Sequence, residues 1–152
     1  MAIIEKHIEI YKALNRNEVK YLVIGGIAVG LHGIPRVTVD IDILIEPTLD
    51  NCQRALKAFE EAGLKRAGKM SPDVVLQATM GTVLGDVNVD IFAGARISDF
   101  KDMWERRAIK QVRGIEINVL SIEDLIETKK HTDRARDKED IEVLEKILGG
   151  EL

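Results

Sequence analysis

Apolar positions recur along this chain at two spacings, and the switches between them mark its elements. In residues 3–16, Ile3, Ile10 and Leu14 share one helical face with Ile4, Ile8 and Tyr11 beside them, which predicts an amphipathic helix. Residues 20–24, KYLVI, form a short apolar run that predicts a buried strand ended by Gly25 and Gly26. IAVGLHG then predicts a short helix closed by Gly33 and Pro35. Residues 37–45, VTVDIDILI, are rich in β-branched residues and alternate in polarity, so they predict a strand that Pro47 stops. Leu49, Ala55, Leu56, Phe59 and Ala62 return to helical spacing across residues 48–62, with Gly63 as the stop.

Downstream the elements shorten. Residues 73–79, DVVLQAT, and 86–92, DVNVDIF, predict two strands around a turn containing Gly81 and Gly85. Phe100, Met103 and Trp104 predict a short helix over 98–106, and two short strands follow around Gly114, the second ending in IEINVL. SIEDLIETKKH opens on a capping box, Ser121 at the cap and Asp124 three residues on. A last helix runs from Asp133 or Arg134 to Leu148, burying Ile141, Leu144, Ile147 and Leu148, and Gly149-Gly150 ends it. No repeat, linker or low-complexity segment interrupts this order. It describes one α/β (α+β) domain over residues 1–152, a small mixed sheet flanked by helices and finished by C-terminal helices.

Composition narrows the function. A chain of 152 residues suits a single core. A net charge of −4 argues against a protein that coats nucleic-acid backbone, and leaves room for a nucleotide at a local site. Cys52 is the one cysteine, which excludes an intrachain disulfide and a thiolate metal cluster. The N-terminal stretch is charged throughout, unlike a secretion signal, and no apolar run reaches membrane-spanning length. The expectation is a cytoplasmic protein with no membrane partner.

The strand VTVDIDILI holds the candidate chemistry. Alternation puts Thr38, Asp40, Asp42 and Leu44 on one face and a purely apolar set on the other. Two carboxylates roughly 6–7 Å apart along a strand repel unless a cation lies between them. Mg²⁺ takes such hard oxygen ligands, together with substrate phosphates. An antiparallel strand with one wet face gives the same pattern. Three neighbours favour a site. Gly25 and Gly26 at a strand-to-helix turn let backbone approach a phosphate, though a tight turn alone also asks for glycine. Asp90, in VNVDIFAG, repeats the setting of Asp42 near another strand end. Arg36 and Thr38 lie just upstream of the aspartates, where a cation and a hydroxyl can meet phosphate oxygens.

Gly-Gly, then Asp-hydrophobic-Asp, then a later strand Asp resembles the nucleotidyltransferase superfamily related to DNA polymerase beta. SIEDLIETKKHTDRARDKEDIEVL resembles the C-terminal signature of its small AbiEii-like and lincosamide-adenylyltransferase-like members, at Lys129, Arg134, Arg136, Asp137 and Asp140. The resemblance spans about Tyr21 to Leu144; this chain has Gly-Gly where the superfamily often has Gly-Ser. It implies a nucleotidyltransferase fold and a metal-dependent transfer of NMP from an NTP, ATP first among them, to an acceptor hydroxyl. It implies Asp40, Asp42 and Asp90 as catalytic residues and ligands of two Mg²⁺ ions, with Mn²⁺ as an alternative. Gly25, Gly26, Arg36, Thr38, Lys129 and Arg134 would bind the nucleotide. The acceptor is a small molecule, an RNA or a protein, and a basic patch of Arg106, Arg107, Lys110 and Arg113 keeps RNA open. A non-catalytic nucleotide-binding or toxin–antitoxin module is the competing reading, and a homodimer or partner subunit would supply the surface that so short a chain lacks. Read from the residues alone, Lys129 is a solvated helix lysine, and Arg134, Arg136, Asp137 and Asp140 are an ion network at helix spacing that fixes the last helix. His32 reads as packed or surface; His7 and His131 have no Cys or His partner at metal spacing; Met70, Met80, Met103 and Trp104 read as core filler.

Overall fold

The computed structural model describes residues 5–36, 38, 40–78, 82–84, 88–132 and 134–150. Expectations resting on Ile3, Ile4, Met80, Gly81, Gly85, Asp86 and Asp133 lie outside these residues. In chain order the elements are α1 (Glu5–Arg16), β1 (Tyr21–Ile24), α2 (Gly25–Leu31), β2 (Ile41–Ile45), α3 (Leu49–Glu61), a 3₁₀ helix (Lys65–Lys69), α4 (Pro72–Gln77), β3 (Thr82–Leu84), β4 (Val89–Phe92), α5 (Ile97–Glu105), β5 (Ala108–Val112), β6 (Ile115–Val119), α6 (Ile122–Lys129) and α7 (Ala135–Leu148). The six strands form one mixed sheet in the order β3-β4-β2-β1-β6-β5. β2 runs antiparallel to β1 and parallel to β4, and β1 runs parallel to β6. The α/β architecture expected from the sequence is present.

The apolar periodicity explains how the layers close. Ile41, Ile43 and Ile45 of β2 and Val89 and Ile91 of β4 are fully buried. They join Ile10, Tyr11 and Leu14 of α1 and Cys52, Ala55 and Phe59 of α3 in one core. The intervening residues, Asp42, Leu44, Asp90 and Phe92, are only half-buried. This asymmetry is what a sheet covered on one face and partly open on the other requires. Local signals hold where they were strongest. Thr48 and Ser121 cap α3 and α6 through bonds accepted from the Asn51 and Asp124 amides. Gly63, at φ +98°, ends α3 as a left-handed residue, with Leu64 N–H donating back to the Phe59 carbonyl.

Three boundaries differ from expectation. Residues 72–77 are helical, not a strand: Pro72 takes the first turn, Ser71 accepts from the Asp73 amide, and Val75 alone is buried. A short apolar run has no period of its own, and the cap decides it. The glycine pair does not separate β1 from α2; α2 starts at Gly25. β2 begins at Ile41, so Asp40 stands just before the strand rather than within it.

Candidate active site

The strand order brings the acids together. β2 lies between β1 and β4, and the registers set Asp42 opposite Ile24 on one side and opposite Asp90 on the other. Burial pushes the Asp42 carboxyl up, and the charges of Asp90 and Asp40 with a hydrogen bond to Asp90 push it further, to about 6. Asp42 is therefore a carboxylate held among like charges. Asp40 is exposed, and its Oδ1 accepts from Asn88 Nδ2 at 3.0 Å. Asn88 stands just before β4, two residues from Asp90. Among the described residues no three carboxylate, imidazole or thiolate side chains converge as ready metal ligands. The hard-oxygen chemistry and the like charges suit a divalent cation, and Asp40 would have to turn from Asn88 to join Asp42 and Asp90 around one.

The glycines touch this cluster. Gly25 has φ +70°, and a β-carbon there would stand 2.5 Å from Asp42 Oδ2. A β-carbon on Gly26 would lie 3.5 Å from Arg36 Cδ and 3.6 Å from Thr38 Cγ2. Arg36 and Thr38 thus reach the glycine turn. The Arg36 guanidinium, however, is spent on the Asp140 carboxylate of α7, and both side chains are nearly buried.

Lys129 and Arg134 arrive at the same place already paired. Lys129 Nζ lies 2.9 Å from Asp137 Oδ1 and 3.1 Å from Asp140 Oδ2, with all three residues buried. The Asp137 Oδ2 accepts from Thr132 Oγ1 at 2.6 Å and from Arg134 Nε at 2.8 Å. Burial pushes the Asp137 carboxyl up, but the bonds from Thr132, Lys129 and Arg134 outweigh it and hold it well below the usual carboxylate range. The ion network read from helix spacing is present in part: Arg134 pairs with Asp137, but Asp140 pairs with Lys129 and Arg36 rather than with Arg136, which is exposed and has no ion pair among the described residues. Lys129 is buried rather than solvated, and through Arg36 the network extends to the glycine turn. Gly25, Lys129, Thr132 and Arg134 line one small cavity of about 190 Å³.

Other candidates take structural places. His32 Nε2 lies 2.8 Å from the Leu120 carbonyl, and burial lowers its pKa, so the neutral ring donates there. His131 is exposed, near Glu127. The basic patch is largely engaged: Arg106 grips Asp124 with two bonds, Arg107 stacks over Trp104 with its carbon 3.9 Å from the ring centroid, and Arg113 pairs with Glu5. Met70, Met103 and Trp104 pack against the core as expected. No helix among the described residues is long and apolar enough to cross a membrane.

The chain belongs to the family described as "Nucleotidyltransferase of unknown function (DUF6036)", whose model matches residues 2–148. Its fold is similar to the crystal structure of a "putative nucleotidyltransferase" from Thermotoga maritima, at 19% identity and a TM-score of 0.57 over 94% of this chain and 90% of that one. Comparison with curated proteins finds no match.

Proposed function

We propose that the protein transfers an NMP unit from an NTP, with ATP the first candidate, to an acceptor hydroxyl, releasing pyrophosphate. The observation that carries this is the register of Asp42 against Asp90, which sets two acids side by side at the edge of a glycine turn. The acceptor oxygen forms a bond to the α-phosphorus while the bond from that phosphorus to the bridging oxygen breaks. The departing electron pair leaves with pyrophosphate, and Asp90 is positioned to take the hydroxyl proton. Divalent ions, Mg²⁺ or Mn²⁺, held by Asp40, Asp42 and Asp90, would supply charge neutralisation at the attacking and leaving oxygens. The missing β-carbon of Gly25 makes room for the Asp42 carboxylate, and the Gly25-Gly26 turn would offer backbone N–H groups to the phosphates. Thr38 lies at the same turn, and Lys129 and Arg134 border the cavity next to it. Arg36 and Lys129 act mainly through their ion pairs, fixing α7 beside the turn, and Arg134, with most of its side chain exposed, is the freest to meet phosphate. The likeness of residues Lys129 to Asp140 to AbiEii-like proteins supports the same site and leaves the toxin–antitoxin reading as its biological variant.

The test is transfer of label from α-phosphate-labelled NTPs to a screen of small alcohols, RNA and proteins, with Mg²⁺ and NTP binding followed by calorimetry. Asp40→Asn and Asp42→Asn are expected to abolish transfer while the circular dichroism spectrum stays unchanged. Full NTP-dependent activity in either variant sinks the assignment.

A further inference from the structure

Beside the acids, the half-open face of the sheet turns apolar. Leu44 follows Asp42 by two residues and Phe92 follows Asp90 by two, and Leu44 pairs with Phe92 as Asp42 pairs with Asp90. Alternation puts all four side chains on one face, with the two pairs roughly 6–7 Å apart along the strands. Leu44 and Phe92 line a cavity of about 350 Å³ together with Leu120, Met103 and Ala95, and Thr128 brings a side-chain hydroxyl. Among the described residues that line it, none is charged. Ile24, which is paired with Asp42, and Thr128 line both this cavity and the one bordered by Gly25, Lys129 and Arg134. The apolar and the basic cavities are therefore neighbours, and Ile24, the strand partner of Asp42, lies at their common edge.

We propose that the apolar cavity holds the acceptor, and that the acceptor is a compact, uncharged, mainly hydrocarbon or aromatic molecule bearing a hydroxyl. This rests on the nucleotidyl-transfer reading above. The volume lies in the range of small-molecule sites, about 300–1,000 Å³. Among the described residues that line it, a polyanionic acceptor would meet no cation. A nucleobase is the other occupant to weigh. Bases are read through hydrogen bonds to their edges, and among the described lining residues the side-chain hydroxyl, on Thr128, already donates to the Leu125 carbonyl at 2.8 Å. Phe92 offers a ring face to an apolar body, and its strand delivers Asp90 two residues away to the hydroxyl.

The experiment uses naphthol, phenylethanol and octanol as probes on the intact protein. Their binding is followed by ligand-observed NMR, Mg²⁺-ATP binding by calorimetry, and transfer with ATP radiolabelled at the α-phosphate. Ala95→Phe places a ring in the cavity, and Met103→Glu, from α5, places a charge there should the first variant lose its circular dichroism signature. The native protein is expected to bind at least one probe and to label it. The variant is expected to weaken that probe by about tenfold or more, while Mg²⁺-ATP affinity stays within about twofold. Nucleotide binding without binding of any probe overturns the acceptor assignment and leaves nucleotidyl transfer standing. Probe binding that the filled cavity does not weaken overturns the acceptor assignment too. A tenfold loss of ATP affinity in the variant overturns it in favour of a base site. Failure of the native protein to bind Mg²⁺-ATP overturns nucleotidyl transfer, and the acceptor assignment with it.

Discussion

Gly25 and Asp42 compete for one space: a β-carbon on Gly25 would stand 2.5 Å from the Asp42 Oδ2, and Gly25 also sits at φ +70°. Gly25→Ala therefore meets two costs. The left-handed backbone costs about 1–2 kcal/mol for a residue with a side chain, and the new methyl displaces the Asp42 carboxylate. Gly33 separates them, because it has φ +107° with nothing within 4 Å of an added β-carbon. Both variants should lower the melting temperature by several degrees, while Gly25→Ala alone should cut nucleotidyl transfer by about tenfold or more. Equal activity in the two variants would mean that the contact with Asp42 has no part in the site.

Asp42 should be costly to stability in the metal-free protein. Its carboxyl is raised to about 6 by burial, Asp90 and Asp40, so above that pH the ionised group opposes folding. Asp42→Asn removes the charge and keeps the shape. Allowing for solvent screening at this half-exposed position, it should stabilise the metal-free fold by about 1 kcal/mol at pH 8. The gain should shrink as pH falls through about 6, where the native carboxyl becomes neutral. Urea unfolding at two pH values measures it. A variant less stable than the native protein at pH 8 contradicts the like-charge account, whatever its activity.

How much of this was legible depended on the range of the interaction. Strand alternation alone set Asp42 and Leu44 on one face and Ile41, Ile43 and Ile45 on the other, because side-chain direction in a strand is local. The caps at Thr48 and Ser121 were local too. Residues 73–77 form helix where a strand over 73–79 was expected, because the apolar run Val74-Val75-Leu76 is too short to set a period and the Ser71-Pro72 cap decides it. The facing of Asp42 and Asp90 is a register between strands 48 positions apart in sequence, by their numbering, and no local pattern specifies it. The same holds for Arg36 with Asp140, which joins the glycine turn to α7. The apolar cavity draws on β2, β4, α5 and α6, so it existed only once those elements met.

Lys129 offers a sharp distinction between scaffold and ligand. Its ammonium is the shared partner of two buried carboxylates, Asp137 and Asp140. Lys129→Met leaves excess negative charge buried and should cost about 3–5 kcal/mol. Adding Asp137→Asn should recover part of that loss, because it removes one of the stranded charges. Chemical denaturation of the single and double variants checks both steps. A Lys129→Met protein of native stability that no longer binds ATP would instead make this lysine a phosphate ligand and remove its structural role.

Asp137 fixes the acid side of the stability profile. Its folded pKa is depressed from an ordinary value near 3.8, so it contributes stability that is present above that value and is lost as pH falls toward the folded pKa. The native protein should therefore lose stability progressively below about pH 4, and Asp137→Asn should flatten that part of the curve. The partners should matter unequally. Thr132 donates the shortest bond, at 2.6 Å, and comes from a half-buried position, whereas the Arg134 side chain is 78% exposed. Solvent screens the exposed pair and leaves the hydroxyl bond nearly intact. Thr132→Val should accordingly raise the Asp137 pKa more than Arg134→Ala does, as read by carboxyl NMR titration. The reverse order would show that charge, not the buried hydroxyl, holds Asp137 ionised.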